Sequence, residues 1–488
     1  MESKKMISRR DFLKYTGINA AVLTLSGCGA ASHRLKNGRS RSTPNVILVM
    51  TDDQGWGDTG YNRHRHLKTP ALDAMAQEGI RFDRFYAAAP VCSPTRGSCL
   101  TGRHPYRYGI FGANRGHLPQ EELTIAEVLK SRGYRTGHFG KWHLGTLTKT
   151  VRDSNRGGPT GAEHYAPPWE NGFHVCFSTE AKVPTWNPMI QPEGDIPGTV
   201  KNLDPGEPFG TAYWTGPGQC AMDNLEGDDA RVIMDRVIPF IQDAVDQQSP
   251  FFSVIWFHSP HAPVVAGPEH KNRYAHLSRK EQHYYGCLTA MDEQIGRLRQ
   301  ELRKLGVDQD TLLWFCSDNG PEGTRIQKHN LGSTGYLRGR KRSLFEGGVR
   351  VPGLLVWPAE IQHPRQVAIP CCTSDYLPTV LEILGLDVDP SAGSMDGVSL
   401  LPLIEGTMQD RPRPIGFESG KQIALIDNRY KIISQDRGET YQLFDLIVDR
   451  AEEKDLAAIH PSILSDMQKT LDAWRAACSA DLKKAELK

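Results

Sequence analysis

The sequence predicts an α/β fold: a large domain whose mostly parallel central sheet is flanked by helices, followed by a small C-terminal α+β domain with an antiparallel sheet. Three observations predict it. Segments 45–50, 251–257 and 311–316 are unbroken apolar runs, the pattern of strands buried on both faces. Helical patterns lie between them, at 70–79, 124–132, 228–246 and 284–305, and strand–helix alternation is what a parallel sheet requires. The last 75 or so residues read differently, as short strands and one final amphipathic helix.

Each apolar run stops abruptly in polar residues. The first, Asn45-Val46-Ile47-Leu48-Val49-Met50, ends in Thr51-Asp52-Asp53-Gln54-Gly55. The second ends in His258-Ser259-Pro260-His261, and the third in Ser317-Asp318-Asn319-Gly320. Ligands of open α/β sheets bind outside the carboxyl ends of the strands, so parallel neighbours would bring these three clusters onto one rim. In the tail, short strands are expected at 422–425, 430–433 and 440–444, and a helix at 461–477. A boundary near Gly406 to Pro414 divides the chain into a large α/β domain, 44–410, and a C-terminal α+β subdomain, 411–488.

The N-terminus belongs to no fold. Arg9-Arg10, a short apolar stretch and then Leu25-Ser26-Gly27-Cys28 resemble a twin-arginine export signal ending in a lipobox, in which Cys28 receives lipid. Residues 1–28 read as this signal and 29–43 as a tether. The implied partners are the twin-arginine machinery and a bacterial membrane reached through the lipid. The implied location is exported, periplasmic or cell-surface. No later run approaches the ~20 apolar residues of a membrane span. The 488 residues carry a net charge of only +1, so nothing points to nucleic acid.

Asp52, Asp53, Asp318 and Asn319 offer hard oxygen ligands, which favours Ca²⁺ or Mg²⁺ over zinc. Capped turns at strand ends would use the same residues. The segment Cys92-Ser93-Pro94-Thr95-Arg96, followed by Leu100-Thr101-Gly102-Arg103, decides between them. It resembles the principal signature of the type I sulfatases, formylglycine-dependent, arylsulfatase-like enzymes of the alkaline phosphatase superfamily fold. Gly140-Lys141-Trp142-His143-Leu144-Gly145 resembles a second motif of that family, and Lys341-Arg342-Ser343-Leu344-Phe345-Glu346-Gly347-Gly348 its later lysine motif. The tail block Leu443-Phe444-Asp445-Leu446, with Asp449 and Glu452, is similar too, so the resemblance runs from Pro44 to about Ala457. Arg342 stands where the family has a small residue, which leaves Arg340 and Arg342 as alternatives to Lys341.

The resemblance implies the following roles. Cys92 is converted to formylglycine by a separate maturation enzyme and lies beside one Ca²⁺ bound by Asp52, Asp53, Asp318 and Asn319. Arg96 holds the nucleophile and buttresses the metal, Lys141 and Lys341 bind sulfate oxygens, His143 contacts the formylglycine hydroxyl, and His261 faces the leaving group. His258 reads as structural. The hydrated aldehyde offers two hydroxyls, one to attack sulfur and one to release sulfate afterwards, which an unmodified Cys or Ser lacks.

The implied substrate is a sulfate ester, and the exported location suggests a sulfated carbohydrate. A phosphodiesterase or phosphonate monoester hydrolase of the same fold, or a non-catalytic sulfoglycan-binding lipoprotein, would share many of these residues. The run Arg63-His64-Arg65-His66 reads as a solvated loop near the rim, and the Trp- and Pro-rich stretches 167–169, 186–188 and 213–217 as loops that could stack on sugar.

Overall fold

The structure, a computed structural model, describes residues 43–194, 196, 203–323, 331–387 and 393–486. The export signal, Cys28 and all of the tether but Thr43 lie outside the described residues. In chain order the strands are β1 (Asn45–Thr51), β2 (Ile80–Phe82), β3 (Phe85–Tyr86), β4 (Arg135–Lys141), β5 (Val175–Thr179), β6 (Trp214–Gly216), β7 (Gln219–Cys220), β8 (Phe251–Trp256), β9 (Thr311–Ser317), β10 (Arg350–Val351), β11 (Gly353–Val356), β12 (Arg365–Val367), β13 (Cys371–Cys372), β14 (Ile415–Ser419), β15 (Gln422–Ile426), β16 (Tyr430–Ser434) and β17 (Gln442–Asp445).

Ten of them form the central sheet, in the order β12-β2-β11-β9-β1-β8-β4-β5-β6-β7. The middle five, β9, β1, β8, β4 and β5, are mutually parallel. The apolar run of β1 explains its central place. Val46, Leu48 and Met50 point into one core layer, with Leu100, Ile125, Leu129 and Leu377. Ile47 and Val49 point into the other, with Leu72, Met75, Ile233 and Leu288. A strand flanked on both faces needs apolar side chains at every position, each worth ~1.5–3 kcal/mol when fully buried.

The predicted helices are present as Pro70–Glu78, Ile125–Ser131, Asp229–Asp246 and Arg279–Lys304. The last begins five residues before its apolar pattern does. Ser278 caps it: its hydroxyl accepts from the Glu281 amide, and the Glu281 carboxylate accepts from the Ser278 amide at 3.0 Å. The intervening first turn is polar, so periodicity alone starts the helix late. β4 also escaped the sequence reading, because Arg135-Thr136-Gly137-His138-Phe139-Gly140-Lys141 is not an apolar run. It is nonetheless buried between β8 and β5, with Nδ1 of its polar His138 on the Ser178 hydroxyl at 2.7 Å. Gly140 is needed there: at φ 102° a Cβ would sit 2.0 Å from the Trp256 carbonyl oxygen.

The tail forms a separate antiparallel sheet, β14-β15-β16-β17. β14 was not anticipated, and the closing helix runs Pro461–Glu486, longer than its apolar stripe. One face of this sheet packs under that helix through Ile423, Leu425, Ile432, Met467 and Leu471. The other packs on Tyr86, Leu344, Phe345 and Val349, directly beyond the predicted active lysine. No described helix is long and apolar enough to cross a membrane. The nine described cysteines are all free.

Candidate active site

The carboxyl ends of all five parallel strands deliver polar residues to one rim: Asp318 and Asn319 after β9, Asp52 and Asp53 after β1, His258 and His261 after β8, Lys141 and His143 from β4, Glu180 and Lys182 after β5. Cys92 is brought to them as the first residue of the helix Cys92–Thr101, whose N-terminal end carries the positive pole of the helix dipole. The Cys92 sulfur and one carboxylate oxygen each of Asp52 and Asp318 lie within 4.8 Å of one another. A second group, within the same distance, joins Asp52, Asp53 and His261.

The three acids are met by three cations. Arg96, fully buried, donates to Asp318 Oδ2 through Nε at 3.1 Å and a terminal nitrogen at 2.7 Å. It also donates to the Lys141 carbonyl at 2.9 Å and approaches Asp52 Oδ1 at 3.7 Å. Its guanidinium lies over the Trp256 ring, 5.1 Å from the centroid. Lys141 Nζ reaches Asp52 Oδ2 at 2.5 Å, and Lys341 Nζ reaches Asp53 Oδ2 at 2.7 Å. The Asp53 amide donates to Asp318 Oδ1 at 3.1 Å, and Asn319 Nδ2 donates to Asp53 Oδ1 at 2.7 Å. Asp53 holds this turn at φ 68°.

Charge and burial compete at each group. Burial alone would raise Asp52, but Lys141, His261, Arg96 and Lys341 pull it well below the usual carboxylate range. Asp318 goes the other way, raised by burial and by the neighbouring Asp52 against the pull of Arg96. Burial raises the Cys92 thiol despite the two lysines, so the unmodified side chain is no activated thiolate. Lys341 stays firmly protonated, its burial outweighed by Asp53 and by Cys92 and Asp52 behind it.

The two motif histidines differ from His258. His258 is used up by the protein, with Nδ1 on Asp229 Oδ2 at 2.8 Å and Nε2 on the Thr179 hydroxyl at 2.7 Å. His261 places Nδ1 on the Ala262 carbonyl at 2.7 Å, which leaves Nε2 facing the site, 3.8 Å from Asp53 Oδ2. Burial lowers it to about 4 although Asp52 pulls upward. His143 sits at φ 57°, its amide on the Glu180 carbonyl at 2.9 Å and its Nε2 on Asn114 Oδ1 at 2.9 Å. Its Nδ1 is buried with no hydrogen-bond partner among the described residues.

This constellation can grip a tetrahedral oxyanion beside a nucleophile. A family model described as Sulfatase matches residues 44–386. The chain belongs to the sulfatase family. It is 32% identical to human arylsulfatase A over 447 residues, 87% of this chain and 82% of that one. It is 31% identical to rat steryl-sulfatase over 416 residues, 75% of this chain and 71% of that one. Among solved structures it is similar to Ps i-CgsB in complex with k-i-k-neocarrahexaose, with a TM-score of 0.75 at 25% identity, covering 89% of this chain and 93% of that one. The protein is thus an enzyme that hydrolyses sulfate esters.

In this sulfatase Asp52, Asp53, Cys92, Arg96, Lys141, His143, His261, Asp318, Asn319 and Lys341 are brought to one rim, as the sequence suggested. Of the three basic residues in the late motif, Lys341 points inward. Arg342 is exposed and bound to the Glu322 carboxylate, while Arg340 is spent on the Glu322 and Gly332 carbonyls. The sequence reading missed Asn114, from a turn-like Gly-Ala-Asn-Arg-Gly stretch without chemical signal, and Glu322, which approaches Lys341 at 3.5 Å. Tyr213 stacks on Phe177 at 3.9 Å and bonds Asp229, and Trp214 is buried with its Nε1 on Asp153 at 3.0 Å.

Proposed function

We propose that this sulfatase releases inorganic sulfate from a sulfated carbohydrate, with a formylglycine made from Cys92 as nucleophile and one Ca²⁺ held by Asp52, Asp53, Asp318 and Asn319. The observation that carries the reading is the convergence of Cys92, Asp52 and Asp318 within 4.8 Å beneath two lysines. The residues fit a hard divalent cation. The donors are carboxylate and amide oxygens, and both Asp52 Oδ1 and Asn319 Oδ1 are buried without a hydrogen-bond partner among the described residues. When present, the cation neutralises sulfuryl oxygens and the hydrated aldehyde supplies the attacking oxygen.

The remaining roles belong to the chain's own side chains. Arg96 fixes Asp318 and the end of β4, so that metal ligands and Lys141 keep one geometry. Lys141 and Lys341 bind the sulfate oxygens, each such contact worth on the order of 10²-fold or more in rate. His143 takes a proton from residue 92 through its free Nδ1. His261 presents Nε2 to the leaving oxygen. An anionic ester beside that nitrogen favours the imidazolium, so His261 gains its acid form in the complex rather than in the free protein.

Support for a carbohydrate comes from the carrahexaose-bound neighbour. We take the export signal and the lipid on Cys28 to place the enzyme outside the cytoplasm, where such polymers are met. The test is sulfate release from a panel of sulfated glycans by protein co-expressed with a maturation enzyme, with Cys92→Ala as control. Release by the wild type alone supports the reading. Cleavage of phosphodiesters instead, or glycan binding without turnover when the aldehyde at position 92 is confirmed, replaces it with the corresponding alternative.

A further inference from the structure

We propose that Asn114 is a positioning residue for His143: its side-chain oxygen accepts the Nε2 proton and thereby keeps the lone pair of the ring on Nδ1, turned into the site. This rests on the reading of His143 as the group that takes a proton from residue 92. A neutral imidazole has one N–H and one lone pair, and the partner of one nitrogen decides the state of the other. Here the geometry decides it. His143 Nε2 lies 2.9 Å from Asn114 Oδ1, an atom that can only accept, and Nδ1 is buried without a partner among the described residues.

The amide is itself held in place. Asn155 Nδ2 donates to the same Asn114 oxygen at 3.4 Å. Arg156 donates to the Gly116 carbonyl at 2.8 Å, tying the loop that carries Asn155 to the one that carries Asn114. Asn114 adopts φ 60°, a left-handed conformation that asparagine tolerates better than most residues. The His143 backbone is held by the bond of its amide to the Glu180 carbonyl. Burial, with Lys141 and Arg96 nearby, keeps it neutral, so one nitrogen carries a lone pair at neutral pH. Without the acceptor the buried ring could place its proton on Nδ1, and in that tautomer Nδ1 is a donor and cannot act as a base.

Two variants separate this from a packing role. Asn114→Leu keeps the approximate volume and removes the acceptor. Asn114→Asp keeps an acceptor and adds a negative charge that makes the ring more basic. The first measurement is long-range ¹H–¹⁵N correlation on the full chain labelled with [¹⁵N]histidine, with the His143 signals assigned through His143→Gln. It needs neither the modification nor turnover. The expected result is an Nε2–H tautomer in the wild type and in Asn114→Asp, and a mixed or Nδ1–H pattern in Asn114→Leu. In the matured enzyme, Asn114→Leu should lower kcat on the order of 10-fold or more with KM within about twofold, since proton transfer contributes ~10²–10⁴-fold. Asn114→Asp should restore most of kcat and move the acid limb of the pH profile upward. A wild-type Nδ1–H tautomer, or an Asn114→Leu protein with unchanged His143 signals and unchanged kcat, overturns the proposal. Should Asn114→Leu fail to fold, the wild-type and Asn114→Asp spectra still decide. If no sulfate ester is turned over by the wild type, the functional reading fails, whereas the tautomer is settled by the spectra alone.

Discussion

Replacing Arg96 by Met tests whether one buried cation holds the acidic rim together. Three hydrogen bonds disappear, two to Asp318 Oδ2 at 2.7 and 3.1 Å and one to the Lys141 carbonyl at 2.9 Å. Met retains most of the aliphatic stem, while the stacking of the guanidinium on Trp256 is lost with the charge. What changes is that Asp318 is left buried beside Asp52 and Asp53 with its partner gone. Removing one member of a buried ion pair costs about 3–5 kcal/mol, because the other stays uncompensated. The control is Arg342→Met, which deletes the same charge from a side chain 59% exposed and paired with Glu322. Such surface pairs contribute ~0–1 kcal/mol. Urea unfolding followed by tryptophan emission, with Trp256 reporting from the site, gives both numbers. An Arg96→Met protein within about 1 kcal/mol of wild type, or one no worse than Arg342→Met, would refute the reasoning that the pair in this environment is strongly coupled.

Two more predictions follow from groups away from the site. Lys431 is fully buried between Glu346 at 3.0 Å and Glu452 at 2.8 Å, so Lys431→Met should cost about 3–5 kcal/mol. Lys431→Met combined with Glu452→Gln should recover part of that in denaturant titrations; no recovery would mean that charge is not the cause. His104, packed on Trp474 of the closing helix, is lowered to about 4 from 6.5 by burial. The unfolded chain therefore takes up a proton between these values that the folded chain refuses, and stability present above pH 6.5 is lost as pH falls toward 4, by up to ~3 kcal/mol. His104→Gln should flatten that slope, and an unchanged slope would assign the acid sensitivity elsewhere.

The fold was legible where burial on both faces forces a continuous apolar run, as in β1, β8 and β9. It was illegible where tertiary partners satisfy polar groups, as in β4, whose His138 is paired with Ser178 and whose Gly140 answers a contact with Trp256 far along the chain. The helix Arg279–Lys304 shows a milder form of the same limit, since its first turn is fixed by a capping pair rather than by apolar spacing. At the site, groups that bear chemistry stand at strand ends or in dense motifs and could be read. Groups that only set the state of others could not. Asn114 acts on His143 from a loop 29 positions away, and Glu322 and Gln422 hold the segment around Lys341 from elements with no shared pattern. Hydrogen bonds between distant residues leave no periodicity, so sequence reading finds the reactive atoms more readily than their supports.

The present ion pairs also constrain how metal and substrate bind. Lys141 and Lys341 are seated on Asp52 and Asp53, the same carboxylates proposed to hold the cation. While they stay there, their charge is spent on acids and is poorly placed for a sulfate. A divalent cation on those acids frees both ammonium groups and turns a balance of three acids against three cations into a net positive rim. Cation and oxyanion should then favour each other, and the coupling is reciprocal: each raises the affinity of the other by the same factor, typically ~5–150-fold. Inorganic sulfate binding to the Cys92→Ala protein, measured by calorimetry with Ca²⁺ and after chelation, reads this without turnover. Sulfate affinity should fall at least about fivefold on chelation, and Lys341→Met should shrink the difference. Equal affinity in both conditions would mean that the lysines are not held back by the acids, and that the cation serves the nucleophile alone.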